Sequence, residues 1–376
     1  MADDMTFAAA EWLLNSGIQN PPGTHEMHGA DVGGSFNAWF NPQTHTHSYI
    51  YTEISGYALT TLLYLYRRYG DARFKRHATL VGEWLHNIQL PTGALPTAFY
   101  IEATPFQKSS DLHAFDVGMV LNGLVCLHRE TLEERYLQSA IRAADWIAGI
   151  QRGDGSVPAM TDAVTGATKD HEGTWSTQPG PYHGKLAIGL LNLFDLTRDP
   201  RYADAARALC NYTLTRQKKN GQFLTYGNLD GTNFHPHAYA CEGLYAAGCY
   251  LNELRYLDAA RRGTEWALSL CKDGIIPRHI HDERINYHER ADIQMQISRL
   301  ATLFHIQDDN ATQLFQRLPE YRYRHDQDTQ GGGFIFGKSS AGELLPHVNA
   351  WVTMFSLQAI SLGADPDAQF DPFYLI

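Results

Sequence analysis

No apolar run in this chain approaches the roughly twenty residues that a helix needs to cross a bilayer. The first residues, MADDMTFAAAEWLL, carry acids where a secretory leader would carry lysine or arginine, so a soluble, cytoplasmic protein is expected. Cysteine is scarce. Cys126, Cys210, Cys241, Cys249 and Cys271 are odd in number and include no CxxC pair, which argues against a disulfide framework; most lie in apolar helical stretches, where buried reduced thiols are expected. Basic charge is short too, with 30 lysines and arginines against 41 acids and a net charge of -11. That field opposes nonspecific binding of nucleic acid, and an anionic substrate would need a local basic cluster. The glycine-containing pieces QLPTG, QRGDG, KKNG and GGGFIFG lack the strand and helix that flank a dinucleotide or phosphate loop, and no GxSxG elbow marks a serine hydrolase. His45 and His47, His235 and His237, and His279 and His281 alternate, yet no HExxH or cysteine-containing signature accompanies them, so neither a metal nor a cofactor is expected.

What the chain does contain is a repeated helical hairpin. LTTLLYLYRRYGDARFKRHATLVGEWLHNIQLPTGALP is followed by VLNGLVCLHRETLEERYLQSAIRAADWIAGIQRGDGSVP, then by KLAIGLLNLFDLTRDPRYADAARALCNYTLTRQKKNGQF and CEGLYAAGCYLNELRYLDAARRGTEWALSLCKDGIIP. Each copy reads as an apolar helix, a short turn with an acid and an aromatic-basic pair, an amphipathic helix and a glycine turn. Trp84, Trp146 and Trp266 recur near the end of the second helix and read as packing between helices. The repeat weakens through residues 293–318 and ends on a lone helix, VNAWVTMFSLQAISL (348–362), whose natural partner is the first, MTFAAAEWLLNSG (5–17). An isolated hairpin cannot bury its apolar face, so stacked copies must cover one another, and lone helices at both ends favour closure of the stack. The expected fold is all-α, a single (α/α)6 toroid domain over residues 1–376, with small β-hairpins in rim loops from runs such as 221–227 and 331–337.

Inner helices are predicted to start near residues 53, 114, 182, 236, 291 and 347. Polar residues gather in or just before their first turns: Glu53, Tyr57, His113, Asp116, Tyr182, His183, Lys185, His235, His237, Glu242, Arg290, Asp292, His347 and Asn349. In a closed ring those starts meet at one mouth, with the long loops 152–181 and 271–290 building its rim. Trp175, Tyr182 and Tyr239 offer flat faces to sugar rings, and His47 lies in the loop leading to the mouth.

TEISGYALTTLL, AFDVGMVLNGL, YHGKLAIGLL and HVNAWVTMFSLQAISL, set in these hairpins, resemble the six-hairpin toroids of carbohydrate-active proteins, and most of all bacterial relatives of the helical domain of D-glucuronyl C5-epimerases. The resemblance implies an enzyme acting on a uronic-acid-containing oligosaccharide or polysaccharide, while the acidic charge and the lack of a long apolar run lead to the expectation of neither nucleic acid nor membrane as partner. C5 epimerisation removes the proton beside a carboxylate and returns one to the opposite face, which requires an acid/base group on each face and a stabiliser for the enediolate. Tyr57, Tyr182 and His183 are the proton-transfer candidates, Glu53 would orient or tune one of them, and Arg290 or Lys185 would neutralise the uronate. A lyase begins with the same abstraction and then expels the oxygen at C4. A glycoside hydrolase asks instead for two carboxyls, available from Glu53, Asp116, Glu172 and Glu242.

The expected catalytic set is therefore Glu53, Tyr57, Asp116, Tyr182, His183 and Glu242, and the expected substrate contacts are His47, His113, Trp175, Lys185, His237, Tyr239, Arg290, His347 and Asn349. Each acid also has a structural alternative as a helix cap or dipole partner. A noncatalytic glycan-binding protein would keep the aromatic contacts and use the acids for structure. Glu53→Gln is predicted to reduce turnover while leaving helical content, measured by circular dichroism, nearly unchanged; loss of the fold would assign the carboxyl to structure.

Overall fold

A computed structural model describes residues 2–24, 31–100, 107–227, 230–324, 331–339 and 341–376. Among these are twelve α-helices: α1 (Ala2–Asn15), α2 (Thr52–Tyr69), α3 (Ala72–Ile88), α4 (Ala114–Thr131), α5 (Glu134–Ile150), α6 (Ala187–Thr197), α7 (Pro200–Thr215), α8 (Phe234–Leu251), α9 (Leu254–Ser269), α10 (Ala291–Leu303), α11 (Asp309–Arg317) and α12 (Ala350–Ala364). The helices α2, α4, α6, α8, α10 and α12 pack side by side in that order, and α12 returns to α2 and closes the ring. Outside them lie α3, α5, α7, α9, α11 and α1, each against its hairpin partner, with α1 and α12 joining the two ends of the chain. The division follows from sequence. In α4 an unbroken run from Ala114 to Leu127 is buried, whereas α5 buries only the stripe Tyr136, Ser139, Ala140, Ala143, Ala144 and Ile147.

The repeated turn between paired helices is a cap. The Asp71 and Asp199 side chains accept from the amides of Arg73 (2.8 Å) and Arg201 (3.0 Å) at the starts of α3 and α7. The glycine turns close the ring at the other end. Gly34, Gly93, Gly155, Gly221, Gly274 and Gly332 all have positive φ, between 73° and 115°. A Cβ on five of them would stand 2.1–2.3 Å from a carbonyl oxygen of the next outer helix: Leu80, Arg142, Ala208, Arg262 and Ala8 respectively, with Gly274 meeting the Gln313 oxygen at 2.9 Å. Four glutamines stitch the same seams. The Nε2 atoms of Gln19, Gln89, Gln151 and Gln217 each donate both to the turn glycine's carbonyl and to a carbonyl of that outer helix, at His77, Ser139, Ala205 and Ala259.

Strands are short and confined to the rim. The largest sheet, antiparallel throughout, runs Phe334–Ile335, Val348–Asn349, Trp39–Asn41, Thr46–His47, with Trp39 opposite Asn349 and Phe40 opposite Val348. The run 221–227 forms no hairpin; Phe223 makes an isolated bridge to Gln217. Inner helices begin within three residues of expectation except the third, where Tyr182 belongs to a 3-10 helix, Pro181–Leu186, and α6 follows from Ala187. Pro181 opens that tighter turn, and its backbone presses on α8: a Cβ at Gly243 would lie 2.3 Å from the Gly184 oxygen. At the end of the ring opposite the helix starts, residues 372–376 fill the axis. Asn122 Nδ2 donates to the Phe373 carbonyl and Gln358 Nε2 to that of Tyr374, both at 2.8 Å.

Gly93→Ala is expected to cost about 3 kcal/mol, from left-handed strain plus collision with the Arg142 carbonyl, against about 1 kcal/mol for Gly70→Ala, where φ is also positive but nothing lies near. Denaturant midpoints of the two variants measure the difference.

Candidate active site

All six inner-helix starts contribute to one cavity of about 150 Å³. Tyr51 and Glu53 come from the start of α2, His113, Phe115 and Asp116 from α4, Tyr182 from the 3-10 turn, His235 from α8, Arg290 from the residue before α10, and Trp351 from α12; Trp175 and Ser176 of the long loop complete the wall. The aromatic side is continuous. Trp175 meets Tyr182 edge-on at 5.1 Å and His235 at 5.6 Å, Phe115 lies 4.7 Å from Tyr239, and His235 4.5 Å from Tyr239.

Two carboxyls share this space under different conditions. Burial raises the Glu53 pKa, the phenols of Tyr51, Tyr57 and Tyr239 and the charge of Lys185 pull it back, and it settles at about 7. Glu53 is surrounded by protein yet remains partly accessible through the cavity. Asp116 has less support. Burial and then the Glu53 charge push its pKa well above the carboxylate range, and its Oδ2 has no hydrogen-bond partner. The Tyr57 hydroxyl stands beside Glu53 and Tyr239 but makes no well-aligned hydrogen bond. Burial lowers His113 to about 4 and also lowers His235, so both imidazoles are neutral near pH 7. Arg290 is committed to Asp292, donating through Nε at 3.1 Å and through Nη2; burial opposes the Asp292 charge, but Arg290 and His235 hold its pKa below the usual value.

Beneath the cavity runs a polar column. Glu242, with no solvent access, accepts from Lys185 Nζ at 2.7 Å and from Arg299 Nη2, both equally enclosed. Lys185 Nζ lies 4.4 Å from the centre of the Tyr239 ring and 5.1 Å from that of Tyr57, and burial lowers its pKa to about 8. Arg299 Nη1 continues to Gln358 Oε1 at 2.9 Å, and Gln358 reaches the floor at Tyr374.

Of the residues expected from sequence, Glu53, Asp116, Tyr182, His113, Trp175 and Arg290 line the cavity, while Tyr57, Tyr239, Lys185 and Glu242 lie directly beneath. Others are elsewhere. His183 is enclosed under the Tyr182 ring, 3.9 Å between centroids, with burial lowering its pKa to about 3. His47 packs on Phe40 and beside Gly17. His237 faces α9, its Nε2 3.0 Å from the Gly263 carbonyl and its ring near Trp266. His347 is boxed by Trp39 and Phe336, and Asn349 caps α12 by accepting from the Val352 amide. Among the described residues no group of three His, Cys, Asp or Glu side chains is arranged to hold a metal ion.

Sequence reasoning left out Phe115, Ser176, Trp351, Gln296, Arg299 and Gln358, gave no role to His235 and Asp292, and named Tyr51 only among several aromatic faces for sugar rings. A signal was present: His235, Tyr239 and Glu242 on α8, Asp292, Gln296 and Arg299 on α10, and Trp351, Phe355 and Gln358 on α12 each follow i, i+4, i+7, a stripe that descends the axis from mouth to floor.

Residues 19–311 match the family described as β-L-arabinofuranosidase, GH127 catalytic domain. No curated protein matches the chain. In three dimensions it is similar to a sugar epimerase from a ruminal bacterium (11% identity, TM-score 0.77, 97% of this chain and 100% of that one) and to cellobiose 2-epimerase from Bacillus thermoamylovorans (12%, 0.74, 96% and 100%). It is also similar to unsaturated glucuronyl hydrolase from Bacillus sp. GL1 (14%, 0.68, 97% and 96%). At such identities the likeness is one of fold, the (α/α)6 toroid.

Two stability measurements probe these electrostatics. Glu242→Gln leaves Lys185 and Arg299 buried without their counter-charge and is expected to cost about 3–5 kcal/mol in chemical denaturation. A buried carboxyl with a raised pKa holds its proton in the folded state after the unfolded chain has lost it, so its contribution to stability falls as pH rises from the unfolded value through about 7. Glu53→Gln should therefore leave Tm nearly unchanged at pH 5 and raise it at pH 8, by an amount corresponding to up to ~3 kcal/mol.

Proposed function

Because the chain belongs to the β-L-arabinofuranosidase, GH127 catalytic-domain family, we propose that it is a glycoside hydrolase that cleaves a neutral glycoside, an L-arabinofuranoside in the first instance, in the cavity where the inner helices start. The observation that carries this reading is the pair of enclosed carboxyls, Glu53 and Asp116, in one aromatic-walled cavity with unequal support for charge. The group with the poorer support keeps the proton. Asp116 is thus the general acid, donating to the glycosidic oxygen as its bond to the anomeric carbon breaks. Glu53, beside three phenols and near Lys185, provides the carboxylate that attacks that carbon or takes a proton from the water that does. Trp175 and Tyr182 offer flat faces to the sugar, and the neutral imidazoles of His113 and His235 offer hydrogen bonds to its hydroxyls.

A second reading, C5 epimerisation of a uronate, draws on the tyrosines around Glu53 and on the sequence resemblance. It has weaker support because Arg290, the guanidinium at the cavity wall, is already engaged by Asp292, and because His183 is enclosed beneath Tyr182. A uronate carboxylate would enter a cavity that already holds two carboxyls.

With 4-nitrophenyl β-L-arabinofuranoside and a panel of other neutral glycosides, the expected result is release of the sugar, with Glu53→Gln lowering kcat by about 10³-fold. Asp116→Asn should impair alkyl glycosides more than nitrophenyl ones, whose leaving group needs little protonation. Proton NMR of the first product reports the stereochemistry: retention indicates attack by Glu53, and inversion indicates activated water. Deuterium incorporation at C5 of a uronate oligosaccharide in heavy water, with no sugar released, would replace this reading by the epimerase. For the wild type, kcat/KM is expected to rise with pH through about 7 as Glu53 loses its proton, and to fall again once Asp116 ionises.

A further inference from the structure

Beside the catalytic cavity, on the rim, lies a larger one of about 470 Å³. Its walls are Glu172, Gly173 and Gln178 from the long loop, Tyr226, and all three residues of the strand His279–His281, Ile280 included. The two cavities share a partition. Within one short stretch, Trp175 and Ser176 line the catalytic cavity while Glu172, Gly173 and Gln178 line the outer one. The partition is fixed from both sides: the Tyr182 hydroxyl donates to the Gln178 carbonyl at 3.3 Å, and the Gly227 amide donates to Gln178 Oε1 at 3.3 Å. A second link is made by backbone. The strand Gly231–Asn233 pairs with His279–His281, placing Asn233 opposite His279, and runs straight into α8, whose second residue is His235 of the catalytic cavity.

The outer lining is that of a hydroxyl-rich ligand. It combines one aromatic ring, one apolar side chain, Ile280, two imidazoles, an amide and a carboxyl, a mixture of donors and acceptors on a partly apolar wall, without a lysine or arginine to select an anion. The catalytic cavity is on the scale of a single sugar ring, and the rim cavity is about three times larger. Glu172 and the alternating pair His279 and His281, which the proposed hydrolysis does not use, thereby meet in one place.

We infer that this rim cavity is a second saccharide subsite, which holds a further neutral sugar residue of the same oligosaccharide whose scissile bond lies in the catalytic cavity. The inference rests on the hydrolase reading and narrows its substrate class from simple glycosides to oligosaccharides. A chain bound in both cavities crosses the Trp175–Thr177 turn, with Trp175 against one sugar and Tyr226 beneath another.

The test is a chain-length series using 4-nitrophenyl β-L-arabinofuranoside as the short substrate and arabino-oligosaccharides of two to four residues as the long ones. The expected result is a kcat/KM that climbs about tenfold between the two- and four-residue substrates, a gain that Tyr226→Ala and His281→Ala each remove without altering nitrophenyl glycoside cleavage. A flat series, or variants that slow the short substrate equally, would overturn the inference and leave the hydrolase reading standing. If none of these substrates is cleaved, that reading fails, and titration calorimetry with the four-residue oligosaccharide decides on the cavity alone. Binding weakened about tenfold by either variant supports the subsite, and absent or unaffected binding removes it. His281 is partly exposed, so its variant remains informative should Tyr226→Ala fold poorly.

Discussion

Glu242 lies between Lys185 and Arg299, all three without solvent access, and the group as a whole carries one more positive than negative charge at the centre of the ring. That excess reaches the cavity above, where the Lys185 charge is one of the influences that partly offset the cost of ionising Glu53 in so enclosed a place. Burial still outweighs it, so Glu53, one layer of tyrosine above Lys185, keeps its proton up to about pH 7. The site's ionisable group and the core's electrostatic balance are thus one problem. The same contacts bind the Lys185 turn, α8 and α10 to one another, so the lysine that tunes Glu53 is held by the interactions that hold three of the six hairpins together.

Around that asymmetric centre the frame is close to sixfold. Every rim turn brings a glycine with positive φ against the next outer helix, and four of the six seams use the same glutamine amide. Regularity outside permits variety inside. Because the frame fixes where each inner helix starts, a single substitution in a first turn changes the chemistry of the mouth without moving the wall. The contributions are accordingly unlike: a glutamate from α2, an aspartate from α4, a tyrosine from the 3-10 turn, a histidine from α8 and a tryptophan from α12.

The ring was legible because apolar helices alternate with amphipathic ones and because lone helices at both ends lack partners. The mouth was legible because Glu53, Asp116, Tyr182 and Arg290 sit at helix starts. Direction around each helix was harder to read. His235 and His237 are two residues apart, about 200° on a helix, so one faces the axis and the other faces α9. Depth was harder still. Glu242 lies two turns below His235 and serves the column, while Arg299 hides in an apolar helix and is betrayed only by its spacing from Asp292 and Gln296. The roles of the acids could not be separated by position alone, since Glu53, Asp116 and Asp292 stand where any helix favours a negative charge.

Residues 372–376 stopper the end of the axis opposite the helix starts, with the Phe373 and Tyr374 carbonyls tied to Asn122 and Gln358. The molecule is therefore a flask and not a pipe. Among the described residues, the opening beside Trp175 at the helix starts has no counterpart at the stoppered end. On the hydrolase reading proposed above, a flask of this kind would receive the end of a chain and leave the rest of that chain on the rim outside, with no polymer threading through it.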